Sequence, residues 1–177
     1  MDFETFEILF DQTSKFIETN CLHEIGVYRV PGNIVEVKEL YLKYKNKELV
    51  NLSQIQDKFT IASLLKYSLT HLTNPLVPRH LYPMFRAIIV QQDLQFKDQN
   101  IIQKIKQQIP LQNQKLIKKL VTHFYCIINN SENNQMSIDN IMIVLGPSFL
   151  KSYESDLMDE AKANPRILKL IFEVFNE

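Results

Sequence analysis

An all-α fold, a bundle of about eight helices, is the class that this sequence predicts, and two observations predict it. Apolar residues recur at i, i+3 and i+4 spacing along the chain, and nothing alternates with period two for long. Helix start and stop residues punctuate that pattern at intervals suited to globular helices.

The elements follow in order. Phe3, Phe6, Leu9, Phe10, Thr13, Phe16 and Ile17 share one face of a first helix. Val35, Val37, Leu40, Tyr41 and Tyr44 form a second, with Asn33 as its N-cap. Ile61, Leu64, Leu65, Leu69 and Leu72 make a third, ended by Thr73-Asn74-Pro75. Leu81, Phe85, Ile88 and Ile89 follow, with Pro83 placed in the first turn or at a kink. The Gln- and Asn-rich residues from Gln91 to Gln114 carry isoleucines at helical spacing, so a polar-faced surface helix capped by Asp98 is expected rather than a linker. Pro110 precedes the longest pattern, Leu116, Ile117, Leu120, Val121, Phe124, Tyr125 and Ile128. Ser137 opens a short apolar helix that should stop at Gly146-Pro147, and Asn164-Pro165 should begin the last one. No fixed-period repeat and no domain boundary is visible.

Composition excludes several classes of function. At 177 residues the chain can bury a real core. Its 20 basic and 20 acidic residues cancel, which argues against a nucleic-acid surface or a polybasic membrane anchor. Lys43, Lys45 and Lys47 form the one dense basic cluster, and Glu48 follows at once, as on a solvated helix end. The two cysteines, Cys21 and Cys126, make no C-x-x-C pair, and the four histidines show no metal-ligand spacing. The first residues are acidic rather than basic, and no apolar run reaches the roughly 20 residues needed to span a bilayer. A soluble, reduced, cytoplasmic protein, acting as a monomer, is expected.

Glycine is the informative residue. Average usage would supply about 12 in a chain this long, and this one has 3. Two of them bracket Arg29 in Gly26-Val27-Tyr28-Arg29-Val30-Pro31-Gly32. Glycine allows backbone conformations closed to other residues and lets another surface approach closely. A lone arginine between two such points, stiffened by Pro31, reads as a presented side chain, with an ordinary surface arginine as the alternative. There is no glycine-rich phosphate loop, nucleophile elbow or pair of loop carboxylates for self-contained catalysis. Arginine is permanently charged and planar, with a fork of donors that matches phosphate oxygens. Supplied in trans to a GTPase, such a group offsets the charge developing on the transferring phosphoryl.

Six motifs, in register over about 120 residues, resemble the Rho GTPase-activating (RhoGAP) domain. The Gly26–Gly32 segment is similar to the family's G-[IV]-[FY]-R-x-x-G, and Ala62-Ser63-Leu64-Leu65-Lys66 to its lysine-bearing helix. Asn74-Pro75-Leu76-Val77-Pro78 resembles a proline-rich turn of the family, and Ile109-Pro110-Leu111-Gln112-Asn113 its LPxxN. Asn134-Gln135-Met136-Ser137 and Asn140 through Pro147 resemble its NkMt and NLAxVFGP segments. The resemblance implies one domain over 1–177, with Arg29 as the finger. Lys66 and Asn140 would position it and bind the GTPase, and Pro75 would sit at the edge of the contact. On the residues alone, a solvated lysine and a capping or core amide stay open for Lys66 and Asn140.

The implied function is activation of a GTP-bound Rho-family GTPase, with no cofactor, because nucleotide, Mg²⁺ and attacking water belong to the partner. The chain would be a catalytic partner rather than a complete enzyme. Departures from the family pattern are Ile25 for its glutamate, Thr70 for its arginine, and Leu72-Thr73-Asn74 for leucine-proline-glutamate. They leave open a binding module of the same fold without activating activity.

Overall fold

A computed structural model describes residues 1–93, 99–150 and 157–176. Among them the secondary structure is helical: α1 (Phe3–Asn20), α2 (Ile34–Lys45), α3 (Lys58–Thr70), α4 (Tyr82–Asp93), α5 (Gln99–Gln108), α6 (Leu111–Ile128), α7 (Ser131–Asn134), α8 (Ile138–Phe149) and α9 (Leu157–Phe175). Short 3₁₀ turns at Leu52–Gln54 and Arg79–Leu81 complete the described elements.

Local chemistry sets the starts of these helices. The Asp2 carboxylate accepts from the amide of Thr5, Asn33 Oδ1 from those of Val35 and Glu36, and Asp57 from that of Phe59. Each removes an orphan donor of the first turn, worth about 1 kcal/mol. Lys43 and Lys45 lie exposed in the last turn of α2, where cations meet the negative end of the helix dipole. Pro83 falls in the first turn of α4, where a missing N–H costs nothing.

Helix α3 is the hub, packing against α1, α2 and α8. Its Ile61, Ala62, Leu64 and Leu65 are fully buried. Each such aliphatic larger than alanine contributes about 1.5–3 kcal/mol by leaving water. The expected surface helix is α5, with Ile102 and Ile105 inward; its Asp98 cap lies outside the described residues.

Two expected boundaries are wrong, for one reason. Gly146-Pro147 does not stop α8, which runs on to Phe149, and Asn164-Pro165 lies inside α9 rather than at its start. Among the described elements these two helices pack most extensively against each other. Burial of Phe149 and Leu150 at the end of α8 offsets the one amide–carbonyl bond that Pro147 forfeits. Asn164 is not a cap. Its Oδ1 accepts the hydroxyl of Tyr82 at 2.8 Å in a buried setting, tying α9 to α4. Tertiary contact overrode the local stop signals. The four-residue α7 has no apolar period and went unforeseen.

Candidate arginine-loop site

The segment between α1 and α2 carries Arg29, and its conformation is unusual. Gly26 has φ +78° and Tyr28 φ +70°. The left-handed region is natural for glycine, but for a bulky residue such as tyrosine it is an outlier that costs on the order of 1–3 kcal/mol. The surroundings hold it there. The amides of Arg29 and Val30 both donate to the carbonyl of Gly26 at 2.8 Å, closing a tight turn under the arginine.

The scaffold grips this turn at both ends. The Gly26 amide donates to the Asn134 carbonyl at 2.8 Å. At the other end the Gly32 amide donates to Ser63 Oγ at 2.9 Å, and the Asn33 amide to Thr60 Oγ1 at 3.0 Å. Gly32 is pressed onto the first turn of α3. A Cβ there would stand 2.2 Å from the Thr60 nitrogen and 2.3 Å from its Cα, distances that no side chain can occupy.

Tyr28 is the buried counterpart of Arg29. Its ring is fully enclosed, edge-on to Phe124 with centroids 4.9 Å apart. Its hydroxyl meets His123 Nε2 at 2.5 Å, and His123 Nδ1 meets Glu18 Oε1 at 2.6 Å. Burial raises the phenol well above its ordinary pKa, so it stays neutral. Arg29, by contrast, is exposed. Among the described residues its guanidinium has no hydrogen-bond or ion-pair partner, and it lies over the bare Cα of Gly26, within 3.6 Å of where a Cβ would be.

The other candidate residues are placed as follows. Lys66, on α3, donates from Nζ to the Tyr28 carbonyl, and its half-buried setting lowers its pKa by desolvation. Asn140, in the first turn of α8, donates from Nδ2 to the Gln135 carbonyl at 3.0 Å, one residue beyond the carbonyl that holds Gly26. Lys66 therefore holds the Arg29 loop directly, whereas Asn140 holds the neighbouring Gln135 turn. Pro75 is tied elsewhere: its carbonyl and that of Leu76 accept from Asn113 Nδ2 of α6 at 3.3 and 2.8 Å. Thr70, exposed one turn beyond Lys66, donates its hydroxyl to the Lys66 carbonyl at 3.0 Å, and Ile25 is also exposed.

Sequence reasoning missed Glu18 and His123, having weighed the histidines only as metal ligands. A signal existed. His123 falls on the inward face of α6 beside Leu120 and Phe124, where a polar residue must find a buried partner. Among the described residues no group of three or more His, Cys, Asp or Glu is placed to hold a metal. No described helix is long and apolar enough to cross a membrane.

Comparison with known proteins agrees with the helical architecture and the sequence motifs. The family model of the RhoGAP domain matches residues 8–154. The chain is 30% identical over 174 residues to the Rho GTPase-activating protein gacY of Dictyostelium discoideum, covering 96% of this chain and 24% of that protein. It is 33% identical over 162 residues to the GEM-interacting protein of Mus musculus, covering 80% of this chain and 17% of that protein. The chain thus spans about a quarter or less of the length of these relatives. Among solved structures, human Rho GTPase activating protein 15 superposes with a TM-score of 0.82 at 24% identity, covering 94% of this chain and 81% of that one. The BH domain from Graf, a GTPase regulator associated with focal adhesion kinase, superposes with a TM-score of 0.81 at 20% identity, covering 100% and 98%.

Proposed function

Because the chain belongs to the RhoGAP domain family, we propose that it accelerates GTP hydrolysis by a GTP-bound Rho-family small GTPase, with Arg29 as the arginine finger. One observation carries this reading. An exposed guanidinium without a partner among the described residues stands on a turn that the scaffold grips on both sides. The backbone beneath such a cation is already ordered, so entering a partner's active site costs side-chain freedom alone and breaks no bond.

The chemistry follows from arginine's fork. Phosphoryl transfer spreads charge over the transferring group, and catalysis is mainly positioning and electrostatic stabilisation. A finger supplied in trans contributes about 10³–10⁵ in rate, roughly 4–7 kcal/mol of barrier. Nucleotide, Mg²⁺ and attacking water belong to the GTPase, so the chain works as an activator without a cofactor of its own. Lys66 would hold the carbonyl just before the finger, Asn140 would brace the Gln135 turn and reach the partner, and Pro75 would lie at the edge of the contact. Ile25, Val30, Ile34 and Val35, exposed on the same loop and the first turn of α2, offer apolar surface for that contact. This reading places the chain in the cytoplasm as a monomer.

A second reading rests on Thr70 and Ile25, which stand where the family carries arginine and glutamate: a module that binds the GTPase without activating it. Single-turnover GTP hydrolysis by a panel of Rho-type GTPases, with and without the chain, separates the two. Stimulation of any member supports the activator; tight binding without stimulation of any supports the module.

A further inference from the structure

The loop that presents Arg29 has a second anchor, running inward from Tyr28. The phenol of Tyr28, the imidazole of His123 and the carboxylate of Glu18 form a chain of short hydrogen bonds, 2.5 Å and 2.6 Å, joining the loop to α6 and α1. Tyr28 and His123 are buried, while the Glu18 side chain is 39% exposed, so the chain begins at the surface and ends under the finger. In the neutral ring, Glu18 accepts a hydrogen bond from Nδ1–H of His123, which leaves Nε2 to accept from the Tyr28 hydroxyl. Glu18 thereby fixes both the ring orientation and the tautomer. The residue at the end of the chain is the one held at φ +70°, a conformation that persists only where surrounding contacts over-determine it.

We propose that Glu18 and His123 are positioning residues for Arg29, acting through the phenol of Tyr28. They hold that residue in its left-handed conformation, and so aim the backbone from which the finger departs. The relay bears on rate only if the chain is the activator proposed above, but its grip on the loop is measurable with no GTPase present.

Tyr28→Phe removes one hydroxyl and keeps the ring. Glu18→Ala acts from the partly exposed end and keeps the core intact. Glu18→Gln retains an oxygen that accepts from Nδ1. Each is compared with wild type by hydrogen exchange at the Arg29 and Val30 amides, by stimulated hydrolysis at saturating chain, and by affinity for GTPase loaded with a non-hydrolysable GTP analogue. Tyr28→Phe should speed exchange at both amides and lower the maximal rate by about 10- to 100-fold, the scale of a small misplacement. Affinity should change by less than about twofold, since the loss falls on the transition state. Glu18→Ala should lower the rate by a smaller factor, Glu18→Gln should restore most of it, and Glu18→Ala added to Tyr28→Phe should lower it no further. Unchanged exchange and rate in Tyr28→Phe, or independent losses that multiply in the double variant, would overturn the relay. A wild-type chain that stimulates no GTPase overturns the functional reading instead; faster exchange in Tyr28→Phe then supports the relay, and unchanged exchange overturns it.

Discussion

Lys66 Nζ donates to the carbonyl of Tyr28, so the ammonium on the hub helix holds the peptide that leads directly into Arg29. One half-buried cation, its pKa lowered by desolvation, fixes the base of another that stands exposed.

Lys66→Ala should therefore weaken both activation and binding, by about 2–5 kcal/mol if the contact is completed by the partner. Asn140→Ala should act in the same direction through the Gln135 turn. Circular dichroism and thermal melting should show both folded, because neither side chain belongs to the buried core. If either variant activates a responsive GTPase as well as wild type does, that residue has no place in the site.

Arg29→Ala should abolish most of the stimulated rate while keeping substantial affinity for the GTP-bound partner. A finger acts on charge that develops in the transition state, so its loss appears in rate rather than in ground-state binding. Arg29→Lys should rescue little, because a point-charge ammonium cannot reproduce the planar fork. Hydrolysis at saturating activator, measured beside affinity for analogue-loaded GTPase, decides it. Near wild-type acceleration by Arg29→Ala would put the binding module in front.

Thr70→Arg should raise activation or widen the range of GTPases accepted. The position is exposed and one turn beyond Lys66, so an arginine there would lie on the same face. Equal rates across a GTPase panel, with the variant folded, would mean that this chain braces its loop without that side chain.

Gly32→Ala should destabilise the fold by about 3 kcal/mol or more, since the new methyl must displace backbone rather than a pliable side chain. Urea denaturation measures this directly. A loss within about 0.5 kcal/mol, the range of an ordinary surface change, would contradict the close approach of Gly32 to Thr60.

Cys21 should resist thiol reagents in the folded protein. Burial raises its pKa to about 11, so at pH 8 only about one molecule in a thousand carries the reactive thiolate. Reactivity should rise with pH toward about 11 and, below that pH, should jump on unfolding. Reaction with Ellman's reagent in buffer and in denaturant checks it, and a fast native thiol that maps to Cys21 would refute it.

The helical class and most cores were legible because a helix buries one face and writes its period into the sequence. Asn33 and Ser137, read as helix starts, cap by contacts within three residues. The misreadings at Gly146-Pro147 and Asn164-Pro165 arose where a distant helix supplied what local chemistry lacked. The site divides in the same way. Arg29, Lys66 and Asn140 could be singled out by motif; Lys66 bonds the arginine loop itself, and Asn140 bonds Gln135 beside its Asn134 anchor. Glu18 and His123 lie 105 residues apart and become partners only in three dimensions.

The grip on Gly32 also bears on portability. A free peptide spanning Gly26 to Gly32 would carry the arginine but not Thr60, Ser63, Lys66, Asn134 or His123, the groups that fix its shape. Left to itself, Tyr28 would relax out of a backbone state that costs on the order of 1–3 kcal/mol. The arginine loop is thus not a cassette that can be cut out or grafted by sequence alone. What must be transplanted is the meeting point of α3, α6 and α7, and a mimic that copies only the seven residues would carry the charge without its aim.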